Sequence, residues 1–169
     1  RGLIPRVISK LFSFFQADKS ASYTVFVSYL ELYNESGYDL LAEEDMEVSR
    51  LEHLPKVTML EDEDGNYHFR NLSVNPVANE EDALNLLFLG DTNRAIGETE
   101  MNQSSSRSHC IFSLLVEKRP YSTDTVVRSK LNLVDLAGSE RVHKTNSSGQ
   151  TLKEAQYINT SLFFLEMVI

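Results

Sequence analysis

The chain has 169 residues, 41% of them apolar and 24% charged, with a net charge of −9. That is the make-up of one globular domain or a large part of one, and it excludes disordered and collagen-like classes. The single cysteine, Cys110, excludes an internal disulfide and a thiolate metal cluster, and no apolar run approaches the roughly 20 residues of a membrane span.

The charge is unevenly spread: residues 1–30 carry +3, residues 31–100 carry −14 and residues 101–169 carry +2. This balance argues against nucleic acid as a partner, while the C-terminal part could still meet an acidic surface. No basic-then-apolar signal peptide opens the chain, and its first residue, Arg1, suggests a segment of a longer protein.

Residues 4–16 read as a helix. Pro5 suits a first turn, and Ile4, Ile8, Leu11 and Phe15 recur at helical spacing. Residues 23–33 are rich in β-branched and aromatic side chains on both alternating faces, which predicts a central strand covered on both sides. The acidic stretch 43–47 reads as solvated surface. Residues 56–60 and 67–71 flank an acidic turn ending in Asp64-Gly65, a hairpin signal. That turn lacks the spaced ligands of a calcium loop, so a solvated tip is the better reading. Asn79 can cap a helix whose first turn carries Glu80, Glu81 and Asp82; Gly90 ends that helix or weakens it. Residues 111–118 and 129–134 predict an antiparallel pair joined through 120–125. Residues 141–150 read as a mobile loop. Ala155, Ile158, Leu162, Leu165 and Ile169 then mark an amphipathic helix.

Two polar motifs sit at strand ends. Asn102-Gln103-Ser104-Ser105-Ser106-Arg107-Ser108-His109 precedes a strand. Its hydroxyls offer Mg²⁺ an oxygen ligand and offer phosphate several donors, although composition alone favours a polar loop whose Arg pairs with a surface acid. Leu131-Asn132-Leu133-Val134-Asp135-Leu136-Ala137-Gly138-Ser139-Glu140-Arg141 is an apolar strand ending in an acid, with glycine three residues on. Ligands of open α/β sheets sit beyond the carboxyl ends of strands. An acid there can hold Mg²⁺ through water, and a glycine N–H can approach a γ-phosphate closely. Asp-x-x-Gly alone is a weak signal.

Together these motifs make the chain similar to the kinesin motor domain. Ser28-Tyr-Leu-Glu-Leu-Tyr-Asn-Glu35, Asp39-Leu-Leu41 and Tyr157-Ile-Asn-Thr-Ser-Leu162 agree with it, so the resemblance covers nearly the whole chain. The run Ala83 to Arg94, and Leu165-Glu166 where most kinesins carry Leu-Gly, resemble the kinesin-9 subfamily of ciliary motors. The resemblance implies an α/β fold, part of a phosphate-loop NTPase with a mixed central sheet flanked by helices. It implies Mg-ATP hydrolysis coupled to movement along microtubules, in the cytoplasm on the cytoskeleton and, through the subfamily, in the axoneme of a cilium or flagellum. It also implies a dimer formed through a stalk, with no insertion in a membrane. No Gly-x-x-x-x-Gly-Lys-Ser/Thr occurs in these residues. In kinesins that phosphate loop lies upstream of the segment matching residues 1–6, and the neck lies downstream of residue 169. The resemblance therefore describes residues 1–169 as a partial motor domain, with the strand at 129–134 left at an exposed edge and no motor-like turnover from this chain alone.

By the same resemblance Ser106 ligates Mg²⁺, Ser105 helps hold the γ-phosphate and attacking water, Asp135 holds Mg²⁺ through water, and Gly138 donates its N–H to the γ-phosphate. Arg107 and Glu140 form an ion pair that closes over the water. Microtubules present an acidic surface, and Arg141, Lys144 and Lys153 lie in a stretch without acids, which makes it the candidate filament contact. His109 reads as a packed, hydrogen-bonded residue, Cys110 as a small buried hydrophobe, and Phe163 and Phe164 as core or groove contacts. An alternative is an inert microtubule-binding or axonemal structural piece. A GTP-binding switch is disfavoured because no Asn-Lys-x-Asp motif occurs.

Overall fold

The computed structural model describes residues 2–42, 53–65, 67–98, 108–138, 157 and 160–163. In chain order these form α1 (Leu3–Ala17), β1 (Ala21–Tyr33), β2 (Ser36–Asp39), β3 (Lys56–Glu61), β4 (Tyr67–Arg70), β5 (Asn75–Val77), α2 (Glu80–Glu98), β6 (His109–Pro120) and β7 (Val127–Asp135). Residue 157 and residues 160–163 are helical, inside the helix expected at the C-terminal end. The acidic stretch 43–47 and the loop 141–150 lie outside the described residues.

The sheet runs β4-β3-β2-β1-β6-β7, with β5 pairing β1 beside that path. Every pairing among these strands is antiparallel. β1 is the central strand, as its composition predicts: it pairs β2 and β5 along one edge and β6 along the other. Its turn into β2 is a two-residue connection, and Asn34 and Glu35 both take left-handed backbone, φ 51° and 60°. That is the type I′ geometry matching the twist of a hairpin. The sheet curls enough for Lys130 of β7 to lie over the Phe69 ring of β4, 5.9 Å from its centroid, although the two strands are at opposite ends of the order.

α1 and α2 pack on one face. α1 buries Ile8 and Phe12, one turn apart on its apolar stripe. Fully burying side chains of this size contributes about 1.5–3 kcal/mol each. Phe15 of the same stripe stacks on Tyr23 of β1 at 4.4 Å between centroids. α2 brings Ala83 and Leu87 into the same core, against Val25, Val27 and Tyr29 of β1 and Phe112 and Leu114 of β6. α2 does not stop at Gly90 but passes through it. A Cβ there would overlap the Tyr29 ring, so only glycine lets the helix cross β1 this closely.

The end of β1 and β6 nearest α1 is clasped by polar contacts. The Tyr121 N–H donates to the Ser20 carbonyl at 2.9 Å, and Lys118 Nζ donates to Asp18 at 3.0 Å. Asp18 also accepts from the Ser20 hydroxyl and N–H and from the Tyr23 hydroxyl. The opposite end is where the two polar motifs meet.

Candidate functional site

β6 starts at His109, the last residue of the first motif, and β7 ends at Asp135, within the second motif. The antiparallel register sets Cys110 opposite Asp135, and β1 sets Glu31 opposite Cys110. A row of carboxylate, thiol and carboxylate therefore crosses three strands on the face that carries the helices. Glu31 is almost fully buried, at 1% exposure. A buried carboxylate needs a cation, since an isolated charge in the interior is strongly unfavourable. α2 supplies it: Arg94 Nε lies 3.6 Å from Glu31 Oε1.

The same guanidinium reaches both motifs. Arg94 Nη1 donates to Asp135 Oδ2 at 3.3 Å, and Nη2 donates to the Ser108 hydroxyl at 3.4 Å. Arg94 is 14% exposed and Asp135 is 68% exposed, so the guanidinium is anchored inside and presents a rim carboxylate outside. Burial pushes the Cys110 thiol well above its ordinary value, and the Glu31 charge adds to this, so the thiol stays protonated. One turn earlier on α2, Asp91 accepts the buried Tyr29 hydroxyl at 2.9 Å. Asn93 Nδ2 donates to the Leu40 carbonyl at 2.8 Å, and Asp39 beside it accepts the N–H groups of Leu41 and Ser73. The Asp91 and Asn93 bonds fix α2 against Tyr29 of β1 and Leu40 just after β2, along the turn that aims Arg94.

His109 engages both ring nitrogens. Its Nδ1 accepts the Ala137 N–H at 3.0 Å, and its Nε2 lies 2.8 Å from Ser161 Oγ. Burial holds the imidazole below its ordinary pKa, with the Asp135 charge opposing. A groove of about 660 Å³ opens beside the site, between the start of α1, α2 and β7. Leu3, Pro5, Phe88, Asp91, Val134 and Asp135 are among its lining residues.

Of the residues expected to act, Asp135 and Gly138 are described. Both are exposed, past the last ladder position of β7 or at it. Ser105, Ser106, Arg107, Glu140, Arg141, Lys144 and Lys153 lie outside the described residues. His109 and Cys110 take the packed roles expected of them. Arg94, Glu31 and Ser108 were not singled out from the sequence. The available signal was Glu31, a carboxylate at a core-facing position of an apolar strand. Among the described residues no group of three His, Cys, Asp or Glu gathers to hold an ion.

A family model, "Kinesin motor domain", matches residues 1–169. The chain is 47% identical over 175 residues to "Kinesin-like protein KIF9" of Homo sapiens, covering 100% of this chain and 21% of that protein. It is 47% identical over 171 residues to "Kinesin-like protein KLP1" of Chlamydomonas reinhardtii, again covering 100% and 21%. It thus spans about a fifth of the length of these curated relatives. Among solved structures, one described as "Structure of a fast kinesin: Implications for ATPase mechanism and interactions with microtubules" superposes with a TM-score of 0.78 at 36% identity, covering 94% of this chain and 43% of that one. A second, "KIF14[391-772] dimer two-heads-bound state - AMP-PNP in complex with a microtubule", gives 0.77 at 35% identity, covering 96% and 46%.

Proposed function

The chain belongs to the kinesin motor domain family, and we propose that residues 1–169 supply both switch segments of a microtubule motor that couples Mg-ATP hydrolysis to movement along the filament. The observation that carries this reading is the convergence of Ser108 and Asp135, one described residue of each motif, on Arg94. A solved relative described with AMP-PNP and a microtubule supports the choice of nucleotide and track.

The residues present fit Mg-ATP. Asp135 is an exposed carboxylate at a strand end, Gly138 is exposed three residues on, and two hydroxyls, Ser105 and Ser106, belong to the motif that ends at His109. Mg²⁺ takes hard oxygen ligands, keeps several waters, and leans on one or two protein groups plus phosphates. Ser106 and Asp135, the latter through water, would hold it, and it would neutralise charge on the β- and γ-phosphates. Ser105 and the Gly138 N–H orient the γ-phosphate and the attacking water. Arg107 and Glu140 close over that water when both segments fold in. Arg94, held by Glu31, fixes the direction from which Asp135 approaches. Arg141, Lys144 and Lys153 meet the filament. A stalk outside these residues pairs two such motors, which work on the cytoskeleton, that of a cilium included; the likeness to KIF9 and KLP1 supports a kinesin-9 kind of motor.

The test uses a complete motor carrying this sequence. Arg107→Ala and Glu140→Ala should each lower kcat by at least about tenfold while changing the ATP KM by less than about threefold. The double variant should be no worse than either single, as expected for two groups acting as one unit. Normal turnover in both singles would remove the pair from the mechanism. A complete motor without microtubule-stimulated phosphate release would overturn the reading in favour of a filament-binding role alone.

A further inference from the structure

Three separate pieces of the molecule meet on the His109 ring. His109 is the first residue of β6 and the last of the first motif. Through Nδ1 it accepts the N–H of Ala137, which lies in the Asp135–Gly138 turn and is 5% exposed. Through Nε2 it contacts Ser161 on the helical turn 160–163, at 2.8 Å. A nitrogen that accepts from a backbone N–H carries no proton of its own. The neutral ring therefore bears its proton on Nε2, and Nε2–H donates to Ser161.

We propose that His109 is a positioning residue that locks the Asp135–Gly138 turn to the strand leaving the first motif and to the helix carrying Ser161, so that the three move as one body. The proposal deepens the hydrolase reading and rests on it for the consequence to turnover, though not for the clamp itself. With the Ala137 N–H committed to His109, the Leu136–Ala137 peptide is held in one orientation, one residue before Gly138. The Gly138 N–H expected to meet the γ-phosphate belongs to the next peptide. The same ring hands any displacement of this turn to the helix through a single donor and a single acceptor. Both partners of the ring are uncharged, so the joint transmits geometry and not charge.

The experiment uses a complete motor carrying this sequence, labelled with ¹⁵N-histidine. Nuclear magnetic resonance should find His109 as the Nε2–H tautomer, with Nδ1 unprotonated. Ser161→Ala should speed exchange of the Nε2 proton with solvent and lower microtubule-stimulated kcat about threefold, with little change in KM. His109→Leu keeps the bulk and loses both bonds, and should lower kcat about tenfold with the ATP KM within about twofold of the parent. His109→Asn restores an acceptor where Nδ1 stood, and should recover most of the kcat lost in His109→Leu. The Nδ1–H tautomer in the unmutated motor would overturn the proposal. So would an Asn variant no better than the Leu variant, or a Ser161→Ala variant with parental exchange and kcat. If His109→Leu fails to fold, the tautomer and the Ser161→Ala arm decide. If the unmutated motor does not hydrolyse ATP, the functional reading fails, while tautomer and exchange still decide the clamp.

Discussion

Gly90 allows α2 to lie on β1, because a side chain there would occupy the Tyr29 ring. Tyr29 cannot easily yield: it is 3% exposed, packs edge-on against Phe112, and has its hydroxyl on Asp91. Gly90→Ala gains about 1 kcal/mol of helix propensity, but overpacking a core costs about 1–3 kcal/mol. The expected outcome is a net loss, seen as a lower thermal midpoint, and a midpoint at or above the parent's would mean the ring moves freely. At the other end of the sheet, Asp18 is a carboxylate that couples acid titration to stability. The Ser20 hydroxyl first, then the Tyr23 hydroxyl, the Ser20 N–H and Lys118, hold its carboxyl far below the ordinary carboxylate range. A carboxyl depressed in the folded state adds stability in full above its unfolded pKa, about 3.9, and loses it as the pH falls below that value. Asp18→Asn should therefore be less stable than the parent at neutral pH and should flatten the loss of stability below about pH 4. Urea unfolding at a series of pH values reads both, and parallel acid limbs would exclude Asp18 from acid unfolding.

The elements legible in the sequence are those long enough to show a period. α1, β1, the β3–β4 hairpin, α2 and the β6–β7 pair all appear where residue spacing puts them. β2 and β5 were not foreseen. Each is short, Ser36–Asp39 and Asn75–Val77, and β5 contains Pro76. Their strand character comes from pairing with β1 and not from their own pattern. The β1–β2 turn hid for a related reason: it takes left-handed backbone at Asn34 and Glu35 without the glycine that usually marks it. At the site, the two motifs were legible because their chemistry is local. The Arg94–Glu31 pair was not, because its halves come from α2 and β1 and meet only once the helix has docked. The start of α2 illustrates the opposite case. Asn79 Oδ1 accepts the Asp82 N–H at 2.9 Å, and Asp82 Oδ2 accepts the Ala78 N–H at 3.0 Å, a reciprocal cap that the sequence announced from the Asn79 side. Asn79→Ala should cost about 1 kcal/mol, or about 2–4 °C in Tm for a chain of this size. An unchanged midpoint would show that tertiary packing alone sets this helix start.

Across the whole molecule, charge and function divide. The −14 carried by residues 31–100 would repel an acidic filament, and we propose that docking falls to the segment that contains Arg141, Lys144 and Lys153, which follows Gly138 in the sequence. Changing Lys144 and Lys153 together to Glu, in a complete motor carrying this sequence, should weaken microtubule affinity and reduce its dependence on salt. ATP affinity without microtubules should barely change. Cosedimentation across a salt series is the measurement, and an unaltered slope in the double variant would move the filament contact elsewhere.

The central ladder also sets an order of events in time. Ala21 pairs with Pro120 and Leu32 with His109, so β1 finds β6 only after about 80–100 residues of intervening chain have been made. At about 5–20 residues per second, β1 leaves the ribosome roughly 4–20 s before its partner strand. Its β2 hairpin can close within microseconds of emerging, but its other edge stays bare over thirteen residues of β-branched and aromatic character. A bare edge of this kind is open to pairing with another chain while it waits, so the yield of folded protein should depend on translation speed across residues 34–108.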